Sequence, residues 1–92
     1  MMDTEERMEV IRQRIDAALR PEELIVEDEG HLHVGHEGAK DGRGHFRVFV
    51  VADRFRGHSM VHRHRMVYDA LGDLMSTDIH ALAIDAYSTD EI

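Results

Sequence analysis

Apolar side chains at Met8, Ile11, Ile15, Ala18 and Leu19 recur at three- and four-residue spacing, which places them on one stripe of a helix. Asp3 stands three residues ahead of Glu6, the pattern of a capping box, and Pro21 closes the segment. ELIVED, residues 23–28, is short and β-branched and predicts a strand. A second strand is predicted in HFRVFVVA, where Phe46, Val48 and Val50 share one face and Arg47, Phe49 and Val51 the other. Between the two strands lies GHLHVGHEGAKDGRG, with five of the seven glycines of the chain, which predicts a long connection without regular structure. DRFRG is a turn. From Ser59, an N-cap residue, the positions Met60, His64, Val67, Tyr68, Leu71 and Met75 follow helical spacing. STD breaks that helix, and IHALAIDAY predicts a last strand with Ile79, Ala81 and Ala83 on one face and His80, Leu82 and Ile84 on the other. The order helix, strand, strand, helix, strand predicts an α+β sandwich, αββαβ, with helices packed on one face of a three-stranded sheet and one domain over residues 1–92.

Composition narrows what such a domain can do. A chain of 92 residues buries a modest core and has little room for a deep substrate cleft. No phosphate-binding glycine loop, paired carboxylates or serine elbow is present, so the expectation is a protein that is not an enzyme. The net charge of −8 opposes nucleic acid and anionic membrane, leaving DNA binding to a local basic patch. Without cysteine the chain has no disulfide, no thiolate nucleophile and no all-thiolate metal site of its own. The N-terminus is acidic and amphipathic, unlike a secretory or transit leader, and no run is long enough to span a membrane; the expected location is the cytoplasm.

Three features carry candidate chemistry. His31, His33 and His36 put three imidazoles into six residues of the glycine-rich connection, a metal-ligating pattern that a solvated polar loop also produces. His80 interrupts an apolar strand beside Leu82 and Ile84, which predicts a partly shielded ring. By itself that position is more often a hydrogen-bonded structural histidine than a ligand. RFRGHSMVHRHR, residues 54–65, contains Arg54, Arg56, Arg63 and Arg65 with His58, His62 and His64 and no acid, a patch able to grip phosphates or an acidic partner. Its alternative is an arginine face paired with nearby carboxylates. GHEG, Gly35 to Gly38, copies the GxxG of KH domains but lies between strands rather than between helices.

FVVADRFRGHSMVHRHRMVYDALGDLMSTDIHALAI, with VEDEGHLHVGH and GHF ahead of it, resembles the BolA family over nearly the whole chain, from the first helix to about Tyr87. The resemblance implies an αββαβ core similar to class II KH domains, with a short helical turn before the last strand. It implies a monothiol glutaredoxin as partner and a 2Fe-2S cluster shared with glutaredoxin and its glutathione, in iron–sulfur trafficking or iron sensing. Some members are DNA-binding transcriptional regulators, which makes DNA a second expected partner through the RHRMVYDAL helix. Alone, the chain is expected as a monomer or weak homodimer with no stably bound cluster.

The family's ligands are the histidine of the HAL strand, which maps onto His80, and a loop histidine or cysteine, which maps onto His33 with His36 flanking it. Glutaredoxin and glutathione would supply thiolates and this chain neutral imidazoles. Such mixed ligation raises the reduction potential relative to all-thiolate ligation and is lost on protonation. That lability suits a carrier or sensor.

Overall fold

The computed structural model describes residues 2–30 and 42–92. Helix α1 (Thr4–Leu19) begins as its sequence dictates. The Glu6 N–H donates to the Asp3 carboxylate at 2.8 Å, and the Glu6 side chain returns to the Asp3 N–H. It ends at Arg20, whose left-handed φ of 50° turns the chain toward Pro21. Strands β1 (Glu23–Asp28) and β2 (Gly44–Val51) pair antiparallel.

A short 3-10 turn, Asp53–Phe55, leads into α2 (Met60–Leu71), which Ser59 caps through the His62 N–H. Helix α2 stops at Gly72, whose φ is 56°, and α3 (Leu74–Thr77) follows. The periodicity predicted one helix running to the STD segment. The backbone instead breaks earlier, because Gly72 adopts a left-handed conformation that L side chains resist. Met60 and Tyr68, expected on the inner stripe, face solvent, and the buried stripe is Arg63, Val67, Leu71 and Leu74.

Strand β3 (Ile79–Tyr87) pairs parallel to β2, giving the sheet order β1-β2-β3. Parallel pairing requires a crossover, which α2 and α3 supply. One face of the sheet, formed by Val26, Phe46, Val48, Val50 and Ala86, packs with Ile11, Ile15, Leu19, Val67 and Leu71 of the helices in a single core. On the other face Arg47 donates to Glu29 at 3.0 Å and to Asp85 at 2.9 Å, tying the three strands together. Arg7, buried although charged, donates to Asp78 at 3.1 Å and to the Gly42 carbonyl at 2.7 Å, joining α1 to the start of β2 and of β3.

Candidate metal centre

The position of His80 follows from an irregularity in the parallel ladder. Gly44 pairs with Ile79 but His45 pairs with Ala81, so His80 is the extra residue of a bulge. Ile79 therefore lies on the core side with Leu82, Ile84 and Ala86, which oppose Phe46, Val48 and Val50. Simple alternation had put His80 beside Leu82 and Ile84 and Ile79 away from them. The bulge reverses that arrangement: Ile79 is 1% exposed and His80 stands out at the surface.

Gly44 permits this close register. A Cβ there would come within 2.5 Å of the Phe46 ring. The exposed His80 ring lies against His45, which is 5% exposed, with centroids 5.1 Å apart. Arg43 Nη2 sits 3.1 Å from His80 Nδ1. A guanidinium has donors only, so Nδ1 accepts, and the proton of a neutral His80 ring is on Nε2.

His33 and His36, and His31 with them, lie outside the described residues. The two ends of their connection are described. Gly30 N–H donates to Asp28 Oδ1 at 2.8 Å where the chain leaves β1. On its return Gly42 is held by Arg7, and Arg43 reaches His80. The histidine-bearing connection therefore rejoins the sheet at the corner where His80 emerges.

A shallow pocket lies beside that corner, lined by Arg7, Asp28, Gly30, Gly42, Arg43 and His45 among others. Among the described residues no group of three or more His, Asp or Glu side chains is placed to hold a metal. A metal at His80 therefore needs donors from the loop or from another molecule. An exposed imidazole at a corner open to solvent fits that requirement, since a cluster bridging two proteins must be reached from outside.

The basic segment folds differently from its appearance in sequence. Arg63 is 5% exposed and structural: it donates to the His58 carbonyl at 2.9 Å, the Ala86 carbonyl at 3.2 Å and Glu91 at 2.6 and 3.1 Å. The Arg63 guanidinium, with help from the Ser88 N–H, pulls the Glu91 carboxyl down to about 2. Arg56 bonds Asp53 and Thr89 and lies 3.5 Å from Asp90. These contacts raise the Arg56 pKa, the hydrogen bond to Asp53 foremost. Arg54 donates to the Ala18 carbonyl at 2.5 Å.

His64 is half-buried, and Arg65 is exposed without an ion pair among the described residues. His58 and His62 are exposed, their ring centroids 4.4 Å apart. Of four arginines in the segment, three are thus engaged within the molecule. Sequence reasoning missed Arg43 and His45. His45 was legible as a polar residue on the face of Arg47, but its neighbour across the sheet depends on the bulge.

A three-stranded mixed sheet with helices on one face and an exposed histidine at the head of the parallel strand defines an α+β domain of a recognisable class. A family model described as BolA-like protein matches residues 15–91. The chain belongs to the BolA family.

Among solved structures, the BolA domain of SufE1 from Arabidopsis thaliana superposes with a TM-score of 0.83 at 38% identity, covering 100% of both chains. SufE-like protein 1 of the same plant is 40% identical over 87 residues, 89% of this chain but 24% of that protein. The chain thus spans about a quarter of that relative's length. The DNA-binding transcriptional regulator BolA of Escherichia coli K12 is 40% identical over 83 residues, 90% of this chain and 76% of that protein. Among the described residues no helix is long and apolar enough to cross a membrane.

Proposed function

We propose that this chain is a non-catalytic partner of a monothiol glutaredoxin, contributing His80 and the loop residue His33, with His36 as its neighbour, to a shared 2Fe-2S cluster. One observation carries the reading: the bulge in β3 presents His80 to solvent at the corner where the histidine-bearing connection rejoins the sheet. When bound, the cluster supplies an exchangeable one-electron iron–sulfur centre. This chain would contribute two neutral nitrogen donors, from His80 and His33, and leave the remaining coordination to the partner's sulfur. Binding of this kind suits iron–sulfur delivery or iron sensing in a reducing aqueous compartment, which we take to be the cytoplasm.

The test is anaerobic reconstitution with a monothiol glutaredoxin and glutathione, read by visible circular dichroism in wild type, His80→Ala and His33→Ala. The heterodimer spectrum is expected to change or vanish in both variants. A spectrum identical to that of glutaredoxin alone in all three samples would remove the reading.

A second reading, DNA binding, is favoured by the name carried by the E. coli relative. Here it rests on Arg65 with His58, His62 and His64, because Arg63 is internal. It requires salt-sensitive binding that weakens in Arg65→Ala, and no binding at low salt would exclude it.

A further inference from the structure

We infer that Arg43 is a positioning residue that latches His80 out of metal ligation and must let go before this imidazole can bind. The inference rests on the reading of His80 as a ligand. It starts from the 3.1 Å contact between Arg43 Nη2 and His80 Nδ1. Because the guanidinium cannot accept, the Nδ1 lone pair points at Arg43 and the proton of a neutral ring sits on Nε2. A metal ion needs an unprotonated ring nitrogen, and the opposite nitrogen then carries the proton and donates it to a neighbour.

Neither nitrogen of the latched ring meets that requirement. Ligation through Nδ1 puts the metal where the guanidinium now lies. Ligation through Nε2 moves the proton to Nδ1, and an Nδ1–H facing a guanidinium sets donor against donor. By either route metal ligation and the Arg43 hydrogen bond exclude each other.

The surroundings give the latch somewhere to go. Arg43 Nη1 also lies 3.4 Å from the Ser76 carbonyl. That carbonyl belongs to the single turn of α3 and can accept from the guanidinium. The side chain can leave His80 and remain near that carbonyl. His45 stays beneath the ring, 5.1 Å away by centroids, so release of Arg43 leaves the ring its supporting contact.

The latch is tested without glutaredoxin. Zinc ion alone is titrated into the full chain, and the His80 ring is followed by long-range proton–nitrogen NMR in wild type, Arg43→Met and Arg43→Lys. His80 resonances report this residue, and the other histidines are the same in all three proteins, so the comparison between them isolates Arg43.

In the metal-free protein the His80 Nδ1 signal is that of a hydrogen-bond acceptor in wild type and in Arg43→Lys, and it loses that character in Arg43→Met. The zinc concentration at which the His80 ring shifts falls about five-fold in Arg43→Met, the effect of removing one competing charged hydrogen bond at a solvated site. Equal zinc midpoints in wild type and Arg43→Met overturn the inference. So does an Nδ1 signal that the methionine leaves unchanged, or a His80 ring that zinc reaches in neither protein. Failure of the shared-cluster reading shows separately, as a reconstituted spectrum indifferent to His80→Ala, while the zinc titration still decides the latch.

Discussion

The rings of His45 and His80 lie against each other with centroids 5.1 Å apart and planes tilted by 50°, yet His45 is buried and His80 is exposed. The ladder opposes His45 to Ala81 and leaves His80 as the extra residue, so one imidazole supports the sheet and the other leaves it. Their substitutions should separate accordingly. His80→Ala is expected to change stability by no more than about 0.5 kcal/mol, whereas His45→Ala should cost about 1–2 kcal/mol. Urea unfolding followed by far-ultraviolet circular dichroism checks both. A large loss for His80→Ala would make His80 a structural residue.

Arg63 and Arg65, two residues apart on α2, have opposite roles. Removing Arg63 takes the charged partner from the Glu91 carboxylate and a donor from the Ala86 carbonyl. Arg63→Met is expected to lower stability by about 2 kcal/mol. Arg65→Ala, on an exposed side chain, should stay within about 0.5 kcal/mol. Thermal unfolding of the two variants makes the comparison. It also identifies Arg65, not Arg63, as the substitution with which to probe binding to nucleic acid, since a loss in Arg63→Met mixes recognition with folding.

Gly44 cannot accept a side chain where it stands. A Cβ would lie 2.4 Å from Phe46 Cε2, and Phe46 is 1% exposed, so the buried ring would have to shift. Gly44→Ala is expected to cost about 2 kcal/mol through displacement of that ring. It should also disturb the Gly44–Ile79 pairing that sets the bulge. Two-dimensional NMR of His80 in the variant should show a changed environment, and an unaltered His80 signal would mean that the bulge does not depend on this contact.

Acid should loosen the C-terminal turn. The Glu91 carboxyl is held at about 2 in the fold, chiefly by Arg63, against an ordinary value of 4.5. A carboxylate whose pKa is lower in the folded state contributes stability that is complete above the unfolded value and disappears as pH falls through the folded one. The Arg63–Glu91 contribution is therefore expected to fade between about pH 4.5 and pH 2. Stability measured across that range should decline less steeply in Glu91→Gln than in wild type. Equal slopes would show that other carboxylates carry the acid transition.

Most elements are written in local patterns. The stripe Ile11, Ile15 and Leu19, the capping pair Asp3 and Glu6, and the alternation of Phe46, Val48 and Val50 each follow from spacing, and each took the expected place. The site was less legible because it depends on register. Nothing local to IHALAIDAY announces that one residue is inserted against β2. Strict alternation therefore carried Ile79 and His80 to the wrong sides.

The arginines of residues 54–65 fail as a patch for a similar reason. Beside the local Asp53 and the His58 carbonyl, their partners Ala18, Asp90 and Glu91 come from distant parts of the chain. Charge counted along a sequence cannot show which charges meet. Arg43, seen in sequence as one loop residue among many, acquires a role only because the return of the connection brings it to His80.

The parallel pairing of β2 with β3 has a further consequence, for the order of assembly. β1 meets β2 through a single connection, whereas β3 pairs with β2 only across the longer crossover that carries α2 and α3, so its pairing is expected to form more slowly. His80 sits at the head of β3, so its place beside His45 and Arg43 depends on the long-range β2–β3 pairing rather than on any local segment. In a chain stalled before that step, His80 is not set against His45 and Arg43. Pulse-labelled hydrogen exchange should accordingly protect the amides of β1 before those of β3. The imidazole is thus set beside its neighbours by the pairing of distant strands, not by its own segment.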